Sequence, residues 1–468
     1  MFSDRDVLHL CRPSLHDVRG QSHLLVWGEL AQWLLVDEDL AGLLGLFDGG
    51  RNLGRVLREH ARRSKRPVRD IRLEALKIVE ELHRRGILSP NATVRPIEPE
   101  PVKIANVTVN LTNRCNLHCA WCYNAARTTD EMPVETLMDA VERGKGILEP
   151  NGSFIILGGE PLIDADRLSY ALRRAEDVFR PASLISTNGT LLTGSAVEKL
   201  RSRRVEVQVS LDSHRADRHD AIRGRGVFEK AVAGIRRLVD AGVTTIVSMV
   251  FTRESMDEFE PYLDLALKLG VNEARFIPLR TIGFGLTHRD ARPDFAASFE
   301  HLMGILGRRP ELRRLLRRDF FSIAMTLCRY STPRTGCGIA RKVIFIDADG
   351  CVYPCPNHVR PEYLCGDLRE AALSEIILRS PVLQALRRQY RVANYGRCRD
   401  CAFRYWCAGD CRGEVLATMG DATAESPHCQ ELQQMFRQML WLIAQGDTRL
   451  GTAPEPAHGK AAREIFVE

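Results

Sequence analysis

Apolar positions recur along this chain in two different periods, and the change between them divides it. From His23 to Trp27 and from Trp33 to Val36 they crowd together as in short strands. Three stretches of helical spacing follow, near Asp39–Phe47, Leu53–Arg62 and Ile71–Leu88. Asp48-Gly49-Gly50 reads as the turn between the first two helices. Pro96, Pro99 and Pro101 make residues 93–101 a linker after a domain over 1–92. From 102 to 282 strand-like runs alternate with helical spacing. The strands are Val102–Leu111, Ser153–Leu157, Ser183–Ser186, Val205–Leu211, Thr244–Phe251 and Ala274–Leu279. The helices are Val134–Leu148, Asp166–Val178, Ser195–Arg201, Val227–Ala241 and Asp257–Leu269. That alternation predicts an α/β fold with a parallel sheet, and six units fall short of a closed eight-fold barrel. Residues 283–327 read as a helical connection and 328–446 as a loop-rich domain closed by a helix over Gln430–Ala444. Residues 447–468 read as a flexible tail.

Composition narrows the picture. The chain has 468 residues, 44% hydrophobic and 27% charged, which suits globular domains. No run of 18 apolar residues occurs, and the first residues lack the charged head and apolar core of a signal peptide. No membrane partner and a cytoplasmic setting are therefore expected. Sixty-six basic against 60 acidic groups give a net charge of +6, too small an excess to point to nucleic acid but compatible with a mildly acidic peptide. Cysteine is the outlier. There are 14, ten of them beyond residue 327, and in a reducing compartment that density argues for metal ligation rather than disulfides.

Cys115, Cys119 and Cys122 stand in a C-x3-C-x2-C run after a predicted strand. Three thiolates do not close a tetrahedral zinc site, whereas a [4Fe–4S] cluster held by three cysteines keeps one iron open. Plainer readings are three small buried hydrophobes, or a zinc site with a distant fourth ligand. The spacing, Trp121 and the place after a strand resemble the radical S-adenosylmethionine (SAM) superfamily. The resemblance implies a partial (β/α)6 barrel of TIM type, with SAM bound on the open iron. One-electron cleavage would then release a 5′-deoxyadenosyl radical, the electron coming from a donor such as flavodoxin or ferredoxin. Gly158, Gly159 and Glu160, followed by Pro161, look like the motif that holds the SAM amino group. By the same resemblance Asn188, Ser210 and Asp212 lie at strand ends facing the ribose or methionyl part. Arg223 would meet the methionyl carboxylate, Ile277 would lie beside adenine, and Tyr123 would add its backbone. Read singly, these residues are also turn, helix-cap or solvated surface groups.

A second cysteine array follows. Cys337 precedes Gly350 by twelve intervening residues, and four more separate Gly350 from Cys355. Then come Cys398-x2-Cys401-x5-Cys407-x3-Cys411 and, after a gap of seventeen residues, Cys429. A zinc ribbon is the plainer reading of Cys398–Cys411. The whole series resembles the seven-cysteine signature of SPASM domains, which implies two auxiliary [4Fe–4S] clusters and three in all. Cys398, Cys401, Cys407 and Cys429 would hold the outer cluster, and Cys337, Cys355 and Cys411 the inner one. The fourth inner ligand would be Cys328, with Cys351, Cys365 or an open iron as alternatives. Cys11 is left as a small buried hydrophobe. In SPASM enzymes that oxidise sulfatases an aspartate follows the cysteine equivalent to Cys355. Here Pro356 follows, which argues against that reaction.

Residues 8–90 resemble the PqqD-like peptide-recognition domain, a winged-helix-like α+β unit, with Leu-Phe-Asp-Gly-Gly at 46–50 and a closing Arg-Arg-Gly-Ile-Leu. The resemblance implies capture of a precursor peptide's leader by strand addition to a sheet edge and by apolar anchors near the third helix. A generic packing module is the plainer reading. The arginines between Arg55 and Arg69 would steer an acidic leader or form a solvated face. The expectation is a radical SAM enzyme that modifies a ribosomally made peptide by a thioether or carbon–carbon crosslink. The alternatives are a radical SAM enzyme for a small molecule or tetrapyrrole, and a non-enzymatic zinc–cysteine protein. No catalytic acid or base is assigned from sequence.

Overall fold

A computed structural model of the chain describes residues 2–450 apart from 92, 95 and 125–129. The tail from 451 and two linker positions lie outside the described residues. In the N-terminal domain β1 (Val7–Leu10), β2 (Leu15–Arg19), β3 (Ser22–Trp27), β4 (Gln32–Asp37), β5 (Asp48–Asn52) and β6 (Leu88–Ser89) accompany helices Glu38–Leu44, Leu53–Ser64 and Val68–Arg84. They form two antiparallel sheets, β5-β1-β6 and β2-β3-β4. The expected turn at Asp48-Gly49-Gly50 is instead strand β5. Gly49 has φ +77° and lies against the His9 ring, where a Cβ would stand 2.0 Å from it, so glycine is needed for strand contact as much as for a turn. The arginines of this region are mostly neutralised locally: Arg62 and Arg63 by Glu59, Arg66 by Glu74, Arg69 by Asp70. Arg62 and Arg63 share the single Glu59 carboxylate, so this face keeps a net positive charge.

The main sheet has nine strands in the order β12-β11-β10-β9-β8-β7-β13-β14-β15. Here β7 is Ile104–Asn110, β8 Leu148–Leu157, β9 Ser183–Thr187, β10 Val205–Ser210, β11 Thr244–Phe251 and β12 Glu273–Pro278. These six are parallel and neighbour one another in chain order, the partial barrel that the alternating pattern predicts. The sheet does not stop at β7. From the cysteine-rich region β13 (Val343–Ile346) adds in parallel to β7, and β14 (Cys351–Tyr353) and β15 (Gly366–Asp367) follow antiparallel. Side chains alternate across a strand. Val207, Val209, Val247 and Met249 face outward and are fully buried under the helical layer. A helix absent from the sequence prediction, Ala216–Arg223, carries Arg223 at its end. No helix among the described residues is long and apolar enough to cross a membrane.

The N-terminal domain is welded to the rest through its second sheet. Leu25, Trp27, Leu34 and Val36 enter the domain's own core, while the alternate residues Leu24, Val26 and Trp33 enter the main core. Trp33 Nε1 donates to Cys328 O at 3.0 Å, and Trp441 Nε1 to Asp17 Oδ2 at 2.8 Å under the Arg19 guanidinium. At Gly28 backbone meets backbone: a Cβ there would lie 2.6 Å from Cys401 O and 2.8 Å from Ala402 Cα. Gly28→Leu is therefore expected to part the two domains and destabilise the fold by about 1–3 kcal/mol, the usual cost of forced overpacking. Thermal unfolding should show the loss and limited proteolysis should open the 93–101 linker; an unchanged Tm and digest would refute the contact.

Candidate functional site

Cys115, Cys119 and Cys122 lie on the loop that leaves the end of β7, and all three line a cavity of about 350 Å³ at the carboxyl ends of the barrel strands. The cavity exists because the inward residues there are short or polar: Ser186, Gln208, Ser210 and Ser248. Its size lies in the range of small-molecule sites. The loop itself is held by main chain. Gly159 N donates to Thr112 O at 2.8 Å and Glu160 N to Arg114 O at 2.8 Å. Ala120 N donates to Ile222 O at 3.0 Å, and Phe284 N to Cys122 O at 3.0 Å. A Cβ on Gly158 would meet Thr112 O at 2.3 Å, one on Gly159 Arg114 O at 2.0 Å, and one on Gly283 Tyr123 O at 2.4 Å. The paired glycines after β8 thus permit close approach to the cysteine loop as well as lining the cavity.

Of the residues expected around SAM, Tyr123, Gly158, Gly159, Asn188, Ser210, Arg223 and Ile277 line the cavity, and Glu160 and Asp212 do not. Both carboxylates are buried just behind its wall. Glu160 accepts from Leu162 N at 3.0 Å, Thr187 Oγ1 at 2.7 Å and Asn188 N at 2.8 Å, tying the end of β8 to that of β9. Burial pushes its carboxyl pKa up despite these donors. Asp212 accepts from Val250 N at 3.0 Å and from Arg223 Nε at 2.6 Å. Its role is to aim Arg223, because a desolvated carboxylate draws donors to itself before it meets a ligand. Burial works against the charge on Arg223, yet the Asp212 carboxylate holds its pKa above the usual range. Arg223 Nη1 stands 3.9 Å from Cys119 Sγ. Burial likewise pushes the Cys119 thiol up and the Arg223 charge opposes it, so a cation waits beside thiols that must ionise to ligate.

The second array falls into two groups. Cys398, Cys401, Cys407 and Cys429 are pushed up in pKa first by burial, with another thiol of the same four among the further causes for each. Cys355 is pushed up by burial and then by Cys411 and Cys337, which gathers the inner three. Cys328 is buried in the helix Phe320–Arg329 and its charged neighbour is Arg334, not another thiol. Cys351 is raised by burial and Asp349, and Cys365 by burial. The charged neighbours of Cys328, Cys351 and Cys365 are Arg334, Asp349 and Arg387, while Cys337, Cys355 and Cys411 neighbour one another. Two polar groups do touch that set: His358 Nδ1 lies 3.2 Å from Cys355 Sγ, and Asn357 Nδ2 donates to Cys411 Sγ at 3.3 Å. Cys11 is half-buried rather than enclosed, and its thiol donates to Glu29 Oε1 at 2.8 Å.

The spread of the sulfurs bears on what they hold. Among the described residues no cysteine set closes to within 4.8 Å, although sulfurs around one zinc ion at 2.3 Å bonds must come closer than that. Thiols gathered on one cavity but spaced wider suit a cluster of several metals. The one tight group is Asp410, Glu414 and His428. A cation already serves it, since Arg280 Nη1 donates to Asp410 Oδ1 at 2.9 Å and Glu414 Oε2 at 2.7 Å. Thr281 N and Oγ1 also donate to Glu414, at 2.8 and 2.7 Å. Sequence reasoning missed this network. Asp410 and Glu414 flank Cys411, but nothing in the linear chain links them to Arg280 at the end of β12.

Comparisons with known proteins agree with this geometry. Residues 109–266 match the radical SAM superfamily and residues 337–402 the SPASM iron–sulfur cluster-binding domain. The AdoMet-dependent heme synthase of Methanosarcina barkeri is 29% identical over 344 residues, covering 68% of this chain and 94% of that protein. The mycofactocin maturase MftC of Mycolicibacterium smegmatis is 29% identical over 337 residues, covering 69% and 82%. Among solved structures, anSMEcpe with bound AdoMet superposes with a TM-score of 0.60 at 17% identity, over 73% of this chain and 95% of that one. Streptococcus suis SuiB bound to precursor peptide SuiA gives 0.55 at 16% identity, over 90% and 100%. Both modules are thus matched in order along one shared fold: a radical SAM domain over residues 109–266 and, after it, a SPASM iron–sulfur cluster-binding domain over residues 337–402.

Proposed function

We propose that this chain is a cytoplasmic maturase that captures a ribosomally made precursor peptide by its leader and crosslinks a core residue through a thioether or carbon–carbon bond. The observation that carries the reading is the β2-β3-β4 sheet: β3 and β4 are buried on both faces, while β2 has no buried residue, and among the described residues β2 and β4 pair only with β3 and so keep main-chain edges to which an extended peptide can add. In the same domain the helix Val68–Arg84, which packs against β6 and the helix Leu53–Ser64, presents Leu73, 68% exposed, as an apolar anchor. In support, the likeness to SuiB, a protein solved with its precursor peptide, reaches 90% of this chain and so extends into the N-terminal domain. The heme synthase match favours a tetrapyrrole substrate as second reading, but it leaves about a third of this chain without a counterpart.

The residues fit three clusters and SAM. Cys115, Cys119 and Cys122 would hold the first, and among the described residues no fourth thiol, imidazole or carboxylate lines their cavity, which suits an open iron. Cys398, Cys401, Cys407 and Cys429 would hold the outer cluster, and Cys337, Cys355 and Cys411 the inner one. When bound, SAM and its cluster supply one-electron cleavage of the sulfonium and hydrogen abstraction from substrate, with the electron brought by a flavodoxin or ferredoxin. The chain's own part is to bind and exclude. Arg223, fixed by Asp212, would take the methionyl carboxylate. Asn188 and Ser210 offer hydrogen bonds, and Ile277 an apolar wall.

Anaerobically purified protein is expected to contain about twelve irons with matching sulfide. Cys119→Ala should abolish 5′-deoxyadenosine formation from SAM, and Cys407→Ala should spare it while losing product. Cleavage by the Cys119 variant would undo the assignment. Asp212→Asn leaves Arg223 buried without its counter-charge; the KM for SAM should rise about tenfold or more and the Tm fall. An unchanged KM would remove Arg223 from the site. Leu73→Glu, on an exposed position, should leave SAM cleavage intact and weaken full-length precursor binding about tenfold by anisotropy, as for loss of one anchor. Equal binding would refute leader capture beside this helix.

A further inference from the structure

A second cavity of about 270 Å³ adjoins the first, the two sharing Tyr123, Ile282 and Asn357. It lies between the end of β7 and the turn after Cys355, where the two modules meet. Most of its wall is apolar, including Phe345, Leu286 and Val359. One buried carboxylate faces it: Asp347, 3% exposed, at the end of β13.

Asp347 stands apart from the other buried carboxylates. Glu160, Asp212, Glu258, Glu273, Asp319 and Glu414 each have both oxygens engaged by donors of this chain. In Asp347 all three donors converge on Oδ1: Asn110 Nδ2 at 3.0 Å, Asn113 Nδ2 at 3.0 Å and Ala348 N at 2.8 Å. No donor among the described residues meets Oδ2, and Asp347 makes no ion pair there. Both asparagines are themselves oriented. Asn110 Nδ2 also donates to Asn113 Oδ1 at 3.1 Å, and Asn124 Nδ2 to the same oxygen at 2.9 Å. Oδ2 thus keeps its lone pairs open to the cavity, where a donor that arrives from outside can meet them.

We propose that this chamber receives the core residue of the peptide and that Asp347 Oδ2 selects it by accepting a hydrogen bond from an N–H or O–H donor on that residue. The assignment rests on the peptide-maturase reading. It makes Asp347 a specificity-determining residue: it fixes which C–H is turned toward the SAM cavity. The Asn110–Asn113 pair serves as its positioning shell. A residue without a donor would leave Oδ2 unpaired on closure and be rejected, which is how buried polar groups discriminate more sharply than apolar walls.

The test uses the reconstituted holoenzyme with peptides translated from the short reading frames flanking its own, each also made as a leader-only truncation. In Asp347→Asn, SAM cleavage without peptide should stay within about twofold of wild type. With the full-length peptide, product formed per 5′-deoxyadenosine released should fall about tenfold, and so should affinity for it, while affinity for the leader-only truncation stays the same. Wild-type product yield and affinity in this variant would overturn the assignment and leave the maturase reading intact. If wild-type enzyme cleaves SAM yet transforms none of the peptides, the maturase reading fails and the assignment with it. Should Asp347→Asn take up less iron, Asp347→Glu replaces it, since it keeps the charge that the asparagines satisfy. Its longer carboxylate should also lower product per 5′-deoxyadenosine, and an undiminished ratio there overturns the proposal.

Discussion

The constraint on which the structure turns is the holding of a cysteine loop largely by main chain, with Asn116 bridging to Thr190 and Asn188 beside it. Three thiols must be presented to one cavity, so their side chains cannot also brace the loop. The bracing comes from backbone hydrogen bonds at three places: the end of β8, the end of the helix Ala216–Arg223, and the segment after β12. Main chain reaches main chain only where Cβ atoms are missing, hence Gly158, Gly159 and Gly283. Each of these segments also contributes residues to the cavity wall or to a residue that lines it. Building the barrel and building the site are therefore one act of folding.

The same economy governs the joints between modules. The SPASM region is not hung on the barrel by a linker: β13 extends the sheet beside β7, and Arg280 sends its guanidinium from the end of β12 to two carboxylates that bracket Cys411. Burial opposes that cation, yet Asp410 and Glu414 hold its pKa above the ordinary arginine range. Breaking so buried a pair on one side costs far more than a surface bridge would. Because Arg280 also lines the first cavity, any shift of Cys411 is felt at the SAM site through one side chain. The N-terminal domain is joined to the outer cysteines in a different manner, with Gly28 laid against the backbone of Cys401.

What was legible in the sequence follows from this division. Periodicity found the six barrel strands because each carries apolar residues clustered or in alternation between helical stretches, and cysteine spacing found both thiol arrays because ligand intervals are local. The strands at Val7–Leu10 and Leu15–Arg19 escaped, being short, mixed in polarity and defined by their partners. Asp48-Gly49-Gly50 misled because the glycines serve a contact with His9 that no local rule announces. Glu160 and Asp212 stand behind the lining of the expected cavity, bonded to the strand ends that form it. A motif fixes a residue's neighbourhood, and only the surrounding donors fix which way its charge points. Arg280 with Glu414, and Asp347 with Asn110, span more than a hundred residues and left no mark in the linear chain.

That last distinction separates scaffold from function in this molecule. Burying a carboxylate is expensive, and the chain offsets the expense with donors of its own. Where both oxygens are engaged, as in Glu160, Asp212 and Glu414, the group joins two elements and is held in place by donors of the chain itself. Such residues set geometry: Asp212 aims Arg223, and Glu414 fixes the end of β12. Where one oxygen is fully engaged and the other is not, the group is rigid and unsatisfied at once, which is the condition for selective binding in a dry site. Asp347 meets that condition at the place where barrel strand, SPASM strand and cysteine loop converge, so that the seam between the two modules is itself the surface a substrate must fit.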